Sequence, residues 1–240
     1  MSDELIRKHE GHVTHLTLNR PQKANALSAA LVEALLDAVE YAYGDGTRLL
    51  ILDGAGPHFC AGFDFTDYQS STDGDLALRF IRIETLLQAL YHASFETLVL
   101  AHGRIFGAGA DLVASCSARY AASDTTFRMP GLRFGVVLGT RRLAHRIGSD
   151  RARHILSASR TFGAEEAVQI GFLTGIAAPA AWPKIIEQSR VNVEQLTPGA
   201  AAALHRQTTA DTRADDMAAL VRSVSKPGLK ERIRQFREHT

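Results

Sequence analysis

Residues 98–112 read LVLAHGRIFGAGADL. The first four residues form an apolar run without alternation, which is typical of a strand covered on both faces. Glycines follow at once, at Gly103, Gly107 and Gly109, and residues 110–117 can then be helical. The stretch thus predicts a strand, a glycine turn and a helix start. A helix start offers unpaired N–H groups and a partial positive charge.

An earlier stretch has the same order of elements. The run LLIL at 49–52 predicts a second buried strand, and FCAGFD at 59–64 contains a second glycine turn. If the two turns face each other, backbone N–H groups from both could hold an oxyanion. The alternative, which spacing alone leaves open, is that both are ordinary strand–helix turns.

The elements around these stretches follow from periodicity and capping. They are a strand over 12–18, a helix over 29–43 capped by Ser28, a mobile loop over 66–75, a helix over 76–92 and a strand near 119–122. From residue 140 the pattern is helical, and residues 198–240 carry no strand signal. The alternation followed by helices predicts an α/β protein with a helical C-terminal extension.

Composition narrows the class of protein. Of the 240 residues, 45% are apolar and 22% are charged, which is typical of a soluble globular chain. The net charge of +1 gives no argument for a nucleic-acid or anionic-membrane partner. No apolar run reaches the roughly 18–20 residues of a membrane span, and the acidic N-terminus is unlike a secretory signal. We therefore expect a cytoplasmic protein.

Other motifs are weak or missing. The segment 107–112 begins like a dinucleotide-binding fingerprint, but Leu112 occupies the third glycine position. There is no Gly-x-Ser-x-Gly elbow, no His-Glu-x-x-His and no Walker loop. Cys60 and Cys116 are far apart and form no Cys-x-x-Cys pair. We expect no metal site and no nicotinamide site.

Three segments together resemble the motifs of the enoyl-CoA hydratase/isomerase family, the crotonase superfamily. They are residues 16–28, 50–64 and 101–112, with weaker matches at 127–130 and 138–143. The resemblance implies a crotonase-like spiral of ββα units, with an acyl-CoA site in a core over 1–197. It further implies a C-terminal helical trimerisation region over 198–240, in a homotrimer or a dimer of trimers.

The resemblance also implies roles for particular residues. The N–H groups of Phe63 and Ala108 would donate to the thioester oxygen and stabilise an enolate-like intermediate. Asp111 matches the position of the first catalytic glutamate, although an acid at a helix start is also favoured by the helix dipole alone. Phe63 is equally compatible with a core position.

Coenzyme A would enter only as part of the substrate thioester, with no permanently bound cofactor. The positions that match its binding loop are Lys23, Ala24, Ala26, Ala61 and Asp64. Two of these have structural alternatives: Lys23 as a solvated loop lysine, and Asp64 as a cap of the following helix.

One departure from the family pattern affects the reaction. The second catalytic glutamate is replaced by Gly131, and no carboxylate occurs from residue 127 to 148. Hydration, the nominal reaction, therefore lacks half of its machinery. An isomerase, acyl-CoA hydrolase or decarboxylase could use Asp111 alone. From another class, the chain could bind acyl-CoA without converting it.

Several charged residues have open roles. Arg79, Arg82 and Glu84 are expected to form a solvated face or an ion-pair set, and His58, His92 and His102 are weak catalytic candidates. Two basic clusters, at 141–153 and 226–237, could approach the CoA nucleotide but are expected to be solvated helix faces. Phe236 is a candidate for an adenine or interface contact.

Overall fold

Nine strands lie within residues 3–239, which are the residues that this computed structural model describes. They are β1 Leu5–Glu10, β2 Val13–Leu18, β3 Leu49–Gly54, β4 Glu96–Ala101, β5 Arg104–Phe106, β6 Ala118–Ala121, β7 Thr126–Arg128, β8 Phe162–Gly163 and β9 Gly175–Ile176. Six of them form one sheet in the order β1-β2-β3-β4-β6-β9, and the other three form a small sheet in the order β5-β7-β8.

The larger sheet is parallel except at one edge, where β1 pairs antiparallel with β2. Leu49 and Ile51 on one face of β3 pack with Leu98 and Leu100 of β4 in a small second cluster. The residues that alternate with them, such as Leu50, face the main core. Because both faces of β3 are covered, its sequence is apolar without alternation, and the predicted buried strand is confirmed.

Ten α-helices within the described residues cover the sheets. They are α1 Ala29–Ala42, α2 Asp73–Tyr91, α3 Ala108–Ser115, α4 Thr140–Ile147, α5 Ser149–Ala158, α6 Ala164–Gln169, α7 Trp182–Glu194, α8 Pro198–Thr208, α9 Arg213–Val224 and α10 Leu229–Glu238. The α/β prediction is confirmed. None of the helices in residues 3–239 is long and apolar enough to cross a membrane.

Two helix starts show how well capping predicts boundaries. Ser28 accepts a hydrogen bond from the Leu31 amide at 3.0 Å, as predicted for α1. The helix predicted over 76–92 begins three residues earlier, and the predicted loop ends with it. Thr72 and Asp75 form a reciprocal capping box that fixes this start.

The last two helices fold back onto α2 of the same chain. Leu220, Val224, Leu229 and Ile233 are buried in the main core. Asp73, the first residue of α2, accepts hydrogen bonds from the amides at 228–230, at 2.8–3.0 Å. This carboxylate therefore caps α10 and ties it to the core. The predicted trimerisation role of 198–240 stays a prediction.

Candidate active site

The two glycine turns lie against each other. The Phe106 amide donates to the Cys60 carbonyl at 3.2 Å. A Cβ on Gly109 would lie 2.3 Å from that same carbonyl oxygen, and a Cβ on Gly62 would lie 3.2 Å from the Ala108 nitrogen. Only glycine permits this approach, because any side chain would separate the turns.

The amide of Phe63 lies in the first turn and is oriented by a bridge to Leu27. The residues on either side of Phe63 form hydrogen bonds with Leu27. The Leu27 amide donates to the Gly62 carbonyl at 2.7 Å, and the Asp64 amide donates to the Leu27 carbonyl at 3.3 Å. Successive residues of an extended chain point their N–H groups to opposite sides, so the Phe63 N–H, next to that of Asp64, points away from Leu27.

The amide of Ala108 is the first in α3. The Gly107 amide donates to the Arg128 carbonyl at 2.8 Å, and the Gly107 carbonyl accepts from Ala110 and Asp111. A first-turn amide has no acceptor within its own helix. Within residues 3–239, neither this amide nor that of Phe63 has a hydrogen-bond acceptor, and both residues line one cavity.

That cavity has a volume of about 180 Å³ and mostly apolar walls. Six phenylalanines, at 63, 65, 80, 106, 134 and 236, line it together with Met129, Leu132, Val136, Leu138 and Leu156. Phe63 stacks on Phe80 with ring centroids 4.3 Å apart. Phe236, which the sequence offers as a candidate for an adenine or interface contact, reaches the cavity from α10 of the same chain.

Asp111 lines the cavity and is 3% exposed. Its Oδ1 has no hydrogen-bond partner within residues 3–239. It packs directly on Gly139, where a Cβ would lie 1.7 Å from the oxygen. Burial raises the pKa of Asp111 to about 8, although the positive charge of Arg142 acts in the opposite direction. The carboxyl is therefore mostly protonated at neutral pH and is not occupied by backbone donors.

A buried ion pair lies behind Asp111. Arg142 and Glu84 are each 1% exposed and are joined by two hydrogen bonds, one of them 3.0 Å from Arg142 Nη1 to Glu84 Oε1. Asp216 lies 3.5 Å from Arg142 Nη1. The expectation of a solvated face is thus wrong for Glu84 and for Arg142, because each faces inward and neutralises the other. The ion-pair alternative holds for Glu84, although its partner Arg142 lies outside the set of Arg79, Arg82 and Glu84.

The other charged candidates divide by their surroundings. Arg82 pairs with Glu33 at the surface, whereas Arg79 donates to the Asp64 carbonyl at 2.7 Å and lies over the Phe63 ring. Arg146 is another exception to the solvated face, since it donates to the Ala114 and Cys116 carbonyls. Arg79 thus holds the turn that carries the Phe63 amide.

The histidine candidates make backbone contacts away from the cavity. His58 Nδ1 accepts from the Arg104 amide at 3.1 Å, and His102 Nε2 lies 2.8 Å from the Gly56 carbonyl. His92 ends α2. Gly131 lines the cavity and carries no group that could face Asp111.

The five residues predicted to contact coenzyme A lie close together on two touching segments. The Ala61 amide donates to the Ala24 carbonyl at 2.9 Å, and the Ala26 carbonyl accepts from Arg20. Lys23 is exposed on the adjoining turn. Asn25, which sequence reasoning missed, bonds the carbonyls of Ala55 and His58 and thereby fixes the loop.

Asp64 is held by its own neighbours. Its Oδ1 accepts from the Thr66 amide and hydroxyl, and its Oδ2 lies 2.9 Å from Arg20. Burial alone would raise the pKa of Asp64, but these bonds outweigh it and lower that pKa. The side chain does not cap α2, which begins at Asp73. Its contact with adenine stays a prediction.

Comparisons with known proteins show the family and the fold of this chain. The model of the enoyl-CoA hydratase/isomerase family matches residues 8–239. The chain belongs to that family. A Bordetella parapertussis protein assigned to the enoyl-CoA hydratase/isomerases has a crystal structure with a TM-score of 0.97, at 48% identity over 98% of both chains. The crotonase-like fold is thus confirmed.

Curated relatives in this enoyl-CoA hydratase/isomerase family have different activities. A Mycobacterium leprae protein assigned as an enoyl-CoA hydratase is 32% identical over 73% of this chain and 71% of its own length. The mouse ethylmalonyl-CoA decarboxylase is 30% identical over 82% of this chain and 63% of its own. An Arabidopsis thaliana dienoyl-CoA isomerase is 29% identical over 72% of this chain and 68% of its own.

Gly109→Ala tests the contact between the two turns of this family member. The new Cβ would meet the Cys60 carbonyl, so the Ala108 amide must move. We expect kcat/KM for an acyl-CoA substrate to fall about tenfold to a hundredfold, as displacements near 1 Å can cause. Gly163→Ala is the matched control, since no atom lies within 4 Å of its Cβ. Equal activities of the two variants would contradict the prediction.

Proposed function

We propose that this chain acts on acyl-CoA thioesters through an enolate held by the amides of Phe63 and Ala108, with Asp111 moving the proton. The observation that carries the proposal is the set of residues that line the cavity. Phe63 and Ala108 both line it, and its only ionisable side chains within residues 3–239 are Asp111 and Arg128. A single carboxyl group beside two free amides suits proton transfer at the carbon next to the thioester carbonyl.

Isomerisation is the reaction that needs least beyond these groups. The Asp111 carboxylate takes a proton from the carbon beside the carbonyl, and the electron pair moves onto the carbonyl oxygen. The two amides stabilise that charge, each worth about 3 kcal/mol. The acid then returns the proton further along the chain, so the double bond moves and nothing is gained or lost.

Decarboxylation is a second candidate because Asp111 is mostly protonated at neutral pH, with a pKa of about 8. In this reaction the bond from the α-carbon to a carboxylate breaks and CO₂ leaves with the enolate behind. Asp111 then donates its proton to that carbon. The similarity to a mouse ethylmalonyl-CoA decarboxylase supports this alternative.

The pH dependence of turnover separates the two reactions. Isomerisation begins with ionised Asp111, so we expect its kcat/KM to rise with pH and level off above about 8. Decarboxylation ends with protonated Asp111, so its rate should be highest below about 8 and fall above it. The measurement is initial rate from pH 6 to 10 with a 3-enoyl-CoA and with a malonyl-type CoA.

Hydration of a 2-enoyl-CoA is the reaction that this site is not expected to catalyse well. A 2-enoyl-CoA needs a water held between two acid–base groups, and Gly131 supplies none. We expect hydration to be slower than the favoured reaction by at least about a hundredfold. Rapid hydration would overturn the one-carboxyl proposal. Tight binding of every thioester without any reaction would indicate a binding protein.

A further inference from the structure

Within residues 3–239, a cleft beside the acyl cavity is lined by three arginines and by no acidic residue. Its volume is about 570 Å³, and Arg128, Arg133 and Arg232 line it. The cleft and the acyl cavity share Arg128, Phe134 and Phe236 in their walls. The two spaces are therefore neighbours.

The three guanidinium groups are held by carbonyls and not by carboxylates. Arg128 Nε donates to the Ser159 carbonyl at 3.1 Å, and Arg133 Nη2 donates to that of Ala158 at 3.0 Å. Arg232 donates to three carbonyls, the nearest being that of Phe134 at 2.7 Å. Each guanidinium has five N–H groups, so both nitrogens at the tip of Arg128 keep theirs for a ligand.

No carboxylate within residues 3–239 forms an ion pair with any of the three arginines. Asp73 is near enough for Arg232 to contribute to its lowered pKa, but the α10 amides are the main cause and already occupy its oxygens. Three positive charges at one cleft repel one another unless an anion joins them. The cluster is thus suited to bind an oxyanion.

Resting on the proposed function, we propose that Arg128, Arg133 and Arg232 bind a carboxylate carried by the acyl group of the substrate. The substrate class is then the CoA thioester of a short dicarboxylic acid. Guanidinium groups pair well with carboxylates because their N–H groups match the two oxygens. A neutral acyl chain needs only the apolar walls of the cavity.

Position favours the acyl group over the phosphates of coenzyme A as the source of the anion. The cleft adjoins the phenylalanine wall of the acyl cavity at Phe134 and Phe236. The predicted coenzyme loop at 23–26 lines neither space. The acyl cavity is also small, because its volume of about 180 Å³ is little more than the roughly 150 Å³ of a cavity that binds benzene.

The test compares glutaryl-CoA with pentanoyl-CoA, which have five acyl carbons each and differ in the terminal carboxylate. Calorimetry should show that the wild-type chain binds glutaryl-CoA about tenfold to a hundredfold more tightly, as expected for charged hydrogen bonds. The double variant Arg128→Gln/Arg133→Gln should lose that preference and keep its affinity for pentanoyl-CoA. Arg232 is left unchanged because it also supports the backbone.

Arg153→Gln is the control, since Arg153 is exposed and, among the residues that the structure describes, forms its ion pair with Asp150. It should keep the preference for glutaryl-CoA. Equal weakening of glutaryl-CoA, pentanoyl-CoA and free coenzyme A in the double variant would assign the cluster to a phosphate and overturn the inference. Equal affinities of the wild-type chain for the two thioesters would also overturn it. Only the absence of all thioester binding would overturn the proposed function as well.

Discussion

Asp111→Asn is expected to lower kcat for an acyl-CoA substrate about 10²- to 10⁴-fold, the usual contribution of a positioned acid–base group. The asparagine keeps the shape of the side chain but cannot take or give the proton. The two amides are untouched, so the dissociation constant of the thioester should stay within about threefold of wild type. Single-turnover rates and equilibrium titration measure the two quantities separately.

Asp53→Asn is a matched control, because Asp53 bonds His15 on the sheet and does not line the cavity. The fold of the Asp111 variant can be checked by thermal unfolding. Because the pKa of Asp111 rises from 3.8 to about 8 on folding, the free energy of unfolding of the wild-type chain falls as pH rises from 3.8 to about 8. Asparagine does not ionise, so the variant should be at least as stable as the wild type at pH 8 and above. If Asp111→Asn left turnover unchanged, Asp111 would have no catalytic role and would be only an acidic residue at the start of α3.

Arg142→Met is expected to lower the free energy of unfolding by about 3–5 kcal/mol. The change leaves Glu84 buried with no cation beside it, and an unpaired buried charge is costly. Asp216 keeps its ion pair with Arg141 at 3.1 Å, so the unpaired charge in the variant is that of Glu84. Urea unfolding at neutral pH measures the loss.

A double variant shows whether the unpaired charge or lost packing causes the loss of stability. Glu84→Leu with Arg142→Met removes both charges, and apolar replacement of a buried pair often restores stability. We expect it to recover more than half of the loss. Arg153→Met, at an exposed pair, should change stability by less than about 1 kcal/mol. A double variant as unstable as Arg142→Met alone would show that packing, and not the unpaired charge, is responsible.

Local sequence signals predicted the central elements well. Residues 49–52 and 98–101 are apolar without alternation, and both lie in parallel strands covered on two sides. The local sequence also predicts Ser28 as the N-cap of α1. Strand β1 was missed because its sequence, LIRKHE, is polar and pairs only at the sheet edge. The start of α2 was misplaced although Thr72 and Asp75 have capping-box spacing.

Local sequence signals do not predict contacts between distant parts of the chain. Arg79, Arg82 and Glu84 have the spacing of a solvated helix face, yet Glu84 turns inward toward Arg142, 58 residues away. Nothing in the local pattern of either residue specifies this pairing. The glycine turns were recognised by their motifs, whereas the arrangement of Phe134 and Phe236 depends on how α10 returns to the core.

The cap that Asp73 places on α10 has a consequence for the order in which the binding chamber is built. The ribosome synthesises Phe63, Ala108 and Asp111 long before Phe236. A growing chain therefore has these three cavity residues while the side that Phe236 covers is still open to water. A chain that ends before Leu229 lacks Phe236, so that side of the cavity would stay open to solvent.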